Sequence, residues 1–344
     1  MSPTLEAGKS HDYIDVNKDR TPYTRGWLHG CPSDSLANHA PSSPPTLETE
    51  DEMPRHKTFI YDHLITMDPC THPIILSQHG QFLNHGPGPS ADPYPIPQFS
   101  YCSTYLHADI RVPHPGSWIS DVEGESSEER AWEMKEDDRL LWRGLNTGVH
   151  HSEDKPWRDA QRDRLMELVQ RPKGTVDVLV SDEDGEGEAV RVEKLKKMRL
   201  NHAMLDIAFA GNPGQCEPDT CRELQEIFDW RRTMTVREAG KYKYVLDRLM
   251  TTNALIFKST VYPEWFTDRL APWVHYVPIQ IDYSDLYDAL VFFRGDLAGR
   301  GAHEDLAARI AREGREWSLK FWREEDMTAY LFSLMGTGEG FMIL

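Results

Sequence analysis

The sequence has no run of 18 or more apolar residues, so no segment is long enough to cross a bilayer as a helix. Its start, MSPTLEAGKSHDY, lacks the basic-then-apolar order of a secretory signal, and nothing in the chain as written directs it across a membrane. Basic side chains are scarce. Thirty-eight Lys and Arg face 56 Asp and Glu, leaving −18, which excludes binding along a nucleic-acid backbone, since that needs a basic footprint. An anionic ligand would have to be held locally, by a few arginines and helix N-termini. Metal and nucleophile motifs are also missing. His303-Glu304-Asp305-Leu306-Ala307 lacks the second His of HExxH, His150-His151 has no carboxylate at ligand spacing, and no CxxC, GxSxG, Walker A or GxGxxG occurs. There is no Asn-x-Ser/Thr sequon. Five cysteines, Cys31, Cys70, Cys102, Cys216 and Cys221, give an odd count, so at least one thiol stays outside any intramolecular pair. Cys216 and Cys221 share the polar loop GNPGQCEPDTC and can pair in an oxidising compartment.

What is present is an α/β pattern. At 344 residues the length allows two ordinary domains, and 39% apolar content fits a soluble globular protein. Residues 1–56 are rich in Pro, Ser, Asp, Glu and His with little periodicity and read as irregular, with GWLHGCP (26–32) the best candidate for an ordered patch. Residues 57–138 alternate short apolar runs with Pro/Gly turns, include a strand at 98–102, and end in an acidic connection at 123–138 read as a solvated helix. From 139 onward strands are expected at 140–144, 176–180, 242–246, 254–260 and 275–281. Helices are expected at 157–169, 302–317 and 325–335, with Ser284 capping another that carries Leu286, Ala289, Leu290 and Phe293. The acidic loop VSDEDGEG (180–187) lacks EF-hand spacing and reads as solvent-exposed.

Several stretches carry a resemblance. KYKYVLD (241–247), RLMTTNALIFKSTVYPEWF (248–266), PWVHYVPIQIDYSDLYDAL (272–290) and WREEDMTAY (322–330), together with WRGLNTG (142–148), IPQFSYC (96–102) and DPCTHPIILSQHGQFL (68–83), resemble the fungal CAP10-domain glycosyltransferases, glycosyltransferase family 90, which include the protein O-glucosyltransferases and are related to a capsule-associated xylosyltransferase. The likeness runs over roughly 26–334. It implies a GT-B-like α/β fold, two Rossmann-like domains facing across a cleft with the N-terminal one reduced. The expected division is an irregular segment 1–56, a partial acceptor-side domain and acidic connection 57–138, and a donor domain 139–344. The implied activity is inverting transfer of glucose or xylose from a UDP-sugar to a glycan or protein hydroxyl, without a metal or other cofactor, in the secretory pathway. Implied partners are the UDP-sugar and a glycan or glycoprotein acceptor.

Residue by residue, the resemblance assigns nucleotide-sugar binding to the loop that ends the 140–144 strand and an arginine just after it. Arg143 and Gly144 stand where a strand's carboxyl edge can meet phosphate, Asn146 and Thr147 add short polar groups, and Arg158 opens the next helix. Trp118, in VPHPGSW, resembles an acceptor-groove aromatic. Two features depart from the family. Leu145 replaces a Ser, and a Gly- and Arg-containing segment resembling VDGNGWSARFK is absent between Asp247 and Arg248. The family's aspartate base, in a context resembling Asp-Glu-Pro-Arg upstream of GWLHGCP, has no counterpart, and Asp12, Asp15 and Asp19 inherit no role. The catalytic residue is therefore unassigned, and the alternative expectation is an inactive remnant, or a truncated gene model, that keeps only the donor scaffold.

Overall fold

In the computed structural model, residues 13–14, 27–39, 57–84, 91–92, 98–107, 109–114, 131–181, 190–246 and 250–336 are described. Its centre is a parallel sheet of six strands: β1 (Asp137–Gly144), β2 (Leu205–Ala210), β3 (Trp230–Arg231), β4 (Tyr242–Val245), β5 (Leu255–Lys258) and β6 (Val277–Pro278). Side by side they run β3-β2-β1-β4-β5-β6, every pair parallel. This is a Rossmann-like order, in which the chain starts at the middle, works outward to one edge, and returns to build the other half.

The sequence supports this because a sheet covered on both faces needs strands that are apolar on both sides. β2, Leu-Asp-Ile-Ala-Phe-Ala, is buried along its whole length. The period-2 pleat sorts its neighbours. Leu140, Trp142, Tyr244, Leu255 and Phe257 enter one apolar cluster with helix α4 (Leu286–Arg294), while Leu141, Val245 and Ile256 enter the other with Trp317 and Met327. Those two come from α5 (Glu304–Phe321) and α6 (Glu324–Gly336). The crossovers on the β1–β3 half are α1 (Gln161–Gln170), α2 (Lys197–Met204) and α3 (Pro218–Ile227).

Most sequence expectations hold within a few residues, and the differences have local causes. The 176–180 run is a strand, Thr175–Ser181, but it pairs antiparallel with Val190–Lys196 in a separate hairpin on α4, tied there by the Leu179 N–H donating to Asp288 Oδ1 at 2.7 Å. The 275–281 strand shrinks to Val277–Pro278, since Pro278 has no N–H to donate on an edge strand. Ser284 is not the cap. Asp285 occupies that position without a capping bond, its Oδ1 instead accepting the Gln280 N–H at 3.0 Å, after a left-handed Tyr283 with φ 61°. The 98–102 strand is Phe99–Ser100, paired parallel with Ile110–Arg111. Of the acidic connection, residues 131–138 form a 3-10 turn and the start of β1 rather than a helix, and the rest, like the loop 182–189, lies outside the described residues.

The N-terminal segments form a smaller core of Trp27, Cys70, Ile75, Phe82 and Leu106 against Val261. A Cys31–Cys70 disulfide closes it, a second disulfide joins Cys216 and Cys221, and Cys102 lies outside both. Among the described residues no helix is long and apolar enough to cross a membrane.

Gly314 shows how closely α5 packs. A Cβ there would sit 2.4 Å from the His275 carbonyl oxygen, which is backbone and cannot swing aside. Gly314→Ala is expected to lower unfolding free energy by about 1–3 kcal/mol, the cost of overpacking, as measured by urea titration.

Candidate functional site

The strand order creates a crevice where the two halves of the sheet diverge, at the carboxyl ends of β1 and β4, which is where open α/β sheets place ligands. A cavity of about 660 Å³ occupies that position, within the range of small-molecule sites. One wall comes from the sheet side: Trp142 and Gly144 of β1, the loop residues Thr147, Gly148 and Val149, the start of α1 from Ala160 to Asp163, Leu246, and Phe257 to Thr260 at the end of β5. The facing wall comes from the N-terminal segments, with His79, Gly80, Gln81, Cys102, Ser103, His107 and Asp109.

Among the described residues two cations line this space. Arg162, in the first turn of α1, donates from Nη1 to the carbonyl oxygens of Leu145 at 3.1 Å and Thr147 at 2.6 Å, and to Thr147 Oγ1. The same turn carries the N-terminal amides of α1, and Ala160 caps it with no side-chain bond, so the positive end of the helix faces the cavity. Lys258, at the end of β5, pairs with Glu264 at 2.9 Å and lies over the rings of Phe266 and Tyr276. Gln161 links the first turn of α1 to the end of β5 by donating to Ser259 Oγ at 2.8 Å. Burial, reinforced by the Arg162 charge, pushes His79 down to about 3, so its imidazole is neutral.

The loop between β1 and α1 is held from behind as well. Asn146, 1% exposed, donates to the Gly214 carbonyl at 2.7 Å and accepts the Gly214 N–H at 3.0 Å. The His151 N–H donates to the Gln215 carbonyl at 2.8 Å, and the Glu217 N–H to the His151 carbonyl at 3.0 Å, so the cavity loop is paired with the segment that opens the Cys216–Cys221 bridge. His151, fully buried, sets Nε2 3.1 Å from Asp163 Oδ1; burial raises the Asp163 carboxyl, and the histidine partly opposes that rise.

The residues nominated from sequence divide accordingly. Gly144 and Thr147 line the cavity. Arg143 and Asn146 are committed elsewhere. Because Trp142 takes the cavity side of the pleat, Arg143 points to the opposite face, where it pairs with Asp206 at 2.5 Å and donates to the Asp206 carbonyl at 2.7 Å. Arg158 lies on the 3-10 turn Trp157–Asp159, half exposed, over the Trp157 ring and paired with Glu223. Leu145 is half exposed and contributes its carbonyl to Arg162. Trp118 lies outside the described residues. Sequence reasoning missed Gln161, Arg162, Lys258 and Glu264. The available signal was position: the first turn of the helix after β1, and the last residue of the strand beside β4.

Residues 219–338 match the model of Glycosyl transferase family 90. They form a glycosyl transferase family 90 segment. The family 90 segment supplies α3, β3 to β6, α4 to α6, and hence Lys258, Ser259 and Glu264 of the cavity. Protein O-glucosyltransferase 1 of Rattus norvegicus is 30% identical over 107 residues, 28% of this chain and 26% of that protein. O-glucosyltransferase rumi of Drosophila pseudoobscura pseudoobscura is 33% identical over 149 residues, 38% and 33% respectively. Protein O-glucosyltransferase 2 of Danio rerio is 26% identical over 152 residues, 42% and 29%. The chain thus spans about a quarter to a third of the length of these relatives.

His63 is also buried beside the cavity wall, its Nδ1 3.0 Å from Tyr276 Oη, and burial with the Lys258 charge lowers it to about 3. Unfolding returns both histidines to about 6.5, so the unfolded chain binds more protons between pH 6.5 and 3, and their contribution to stability is lost progressively as pH falls through that window. Denaturant titrations at pH 7 and pH 5 are expected to show a smaller drop for a His63→Asn/His79→Asn variant than for the wild type.

Proposed function

We propose that the chain is a CAP10-type glycosyltransferase that transfers glucose or xylose, with inversion, from a UDP-sugar to a glycan or protein hydroxyl. The observation that carries this reading is the cavity at the β1/β4 divergence, where Arg162, the N-terminus of α1 and the Thr147–Gly148 backbone converge on one volume and the segment 219–338 adds Lys258, Ser259 and Glu264 to its lining. A nucleoside diphosphate needs such a cradle of N–H groups and a guanidinium, and the leaving diphosphate needs the same groups more as charge develops on it. Arg162 then does what the sequence reading assigned to Arg143 and Arg158, and no metal enters the transfer. Of the nominated residues, Gly144 and Thr147 remain donor contacts.

The facing wall from residues 79–109 supports a GT-B-like arrangement in which the reduced unit 57–138 carries the acceptor side and 139–344 the donor side, behind a leading segment 1–56. The two disulfides fit an oxidising compartment of the secretory pathway.

A second reading, a donor-binding remnant without turnover, draws support from the sequence: only Asp247, Arg248 and Leu249 separate Leu246 from the 3-10 turn Met250–Thr252, and none of them is a glycine. Calorimetry with UDP, and product analysis with UDP-glucose and UDP-xylose, separate the two. The wild type is expected to bind UDP and release it from one of these donors. Arg162→Ala is expected to weaken UDP about tenfold to a hundredfold, the worth of a charged hydrogen bond. Binding without turnover would favour the remnant, and no binding at millimolar UDP would sink both.

A further inference from the structure

We propose that Asp109 is the carboxylate that takes the acceptor proton, an inference that rests on the transferase reading of the cavity. Inverting transfer needs a base on the side of the sugar away from the diphosphate. Among the described residues three carboxylates line the cavity: Asp109, Asp163 and Glu264. Asp163 is committed to His151, with both carboxylate oxygens 3.1–3.2 Å from Nε2, and it lies on the diphosphate side, in the first turn of α1. Glu264 is neutralised by Lys258 at 2.9 Å, with both side chains almost fully buried. Asp109 is half-buried and, among the described residues, has no hydrogen bond or ion pair that would occupy it.

Its place in the fold suits the task. Asp109 belongs to the wall that faces the sheet, so an acceptor hydroxyl beside it approaches the anomeric carbon from the side opposite Arg162 and the α1 terminus. The residue is also held on both sides. Immediately after it, Ile110 starts the short strand paired with Phe99–Ser100, with the Ile110 N–H donating to the Gln98 carbonyl at 2.7 Å. Two residues before it, His107 sits with Nδ1 2.6 Å from Thr104 Oγ1 and its ring against Trp27. A carboxylate set between these contacts and, among the described residues, unengaged by a partner is poised to accept a proton without reorganisation.

The step balances as follows. The acceptor O–H proton passes to the Asp109 carboxylate while the acceptor oxygen forms a bond to the anomeric carbon. The bond from that carbon to the diphosphate oxygen breaks with its electron pair, which leaves on UDP, and Asp109 returns the proton to solvent. With water as acceptor the same step is hydrolysis of the donor, which supplies an assay without a known acceptor.

The test measures UDP release from UDP-glucose and UDP-xylose with water as acceptor, across pH, beside UDP affinity by calorimetry. Asp109→Asn is expected to lower kcat by about 10²- to 10⁴-fold, the usual worth of a general base, with UDP affinity unchanged and the acidic limb of the pH profile lost. Asp109→Glu is expected to recover part of kcat. Turnover by Asp109→Asn at the wild-type rate overturns the proposal and leaves the transferase reading intact. Loss of UDP affinity in parallel with kcat also overturns it, since Asp109 would then be a donor contact. A wild type that binds UDP but turns over neither donor overturns the proposal in favour of the remnant, and a wild type that binds no UDP overturns the reading of the cavity itself.

Discussion

A carboxylate buried in the middle of the sheet, Asp206 of β2, sets what the neighbouring strands can carry. It is 6% exposed and accepts from Arg143 at 2.5 Å, Arg231 at 2.6 Å and the Tyr242 hydroxyl at 2.5 Å, with Arg139 at 3.7 Å. Burial alone would raise its carboxyl, but the hydrogen bonds from Tyr242 and Arg143 overcome that and hold it below the usual range, while burial and the same bond push Tyr242 up to about 12. Removing one partner of such a buried pair costs about 3–5 kcal/mol. Three strands, β1, β3 and β4, are thereby fixed to β2 on one face. Arg143 is drawn into that scaffold, and charge for the cavity on the other face has to come from a different element, the first turn of α1.

Pleat parity explains why the site was only partly legible in the sequence. That a loop following the 140–144 strand would face a ligand could be read from the strand and its glycine, and Gly144 and Thr147 do line the cavity. Which of Trp142 and Arg143 faces inward is a choice between two faces of one strand, and both faces of this sheet are covered, so composition gives no preference. Arg162 and Gln161 enter the cavity because α1 packs against β2 and brings its first turn to the loop after β1, a tertiary fact.

The fold shows a similar boundary. β1, β4 and β5 stand out as apolar runs between turn residues, and α5 and α6 by their spacing. The stretch 197–210 gave no such signal, because α2 ends at Met204 and β2 begins at Leu205 with no Gly or Pro between them. A helical period changes there to a strand period without punctuation, and Asp206 breaks the apolar run that would have marked the strand. The helix cap at 284–285 was misread for a smaller reason. The Asp285 carboxylate is used to tie back Gln280, which closes the turn between β6 and α4, so the helix starts without a side-chain cap.

Gly80 and Gly148 meet backbone to backbone: a Cβ on Gly80 would sit 2.7 Å from the Gly148 carbonyl oxygen. They lie on opposite walls of the cavity, one in the wall that carries Asp109 and the other in the loop held by Arg162. At this point there is no side chain between the walls to fold away or to cushion a slide. The two walls therefore meet at a fixed stop and cannot close further there, which sets a lower limit on the width of anything held between them beside it.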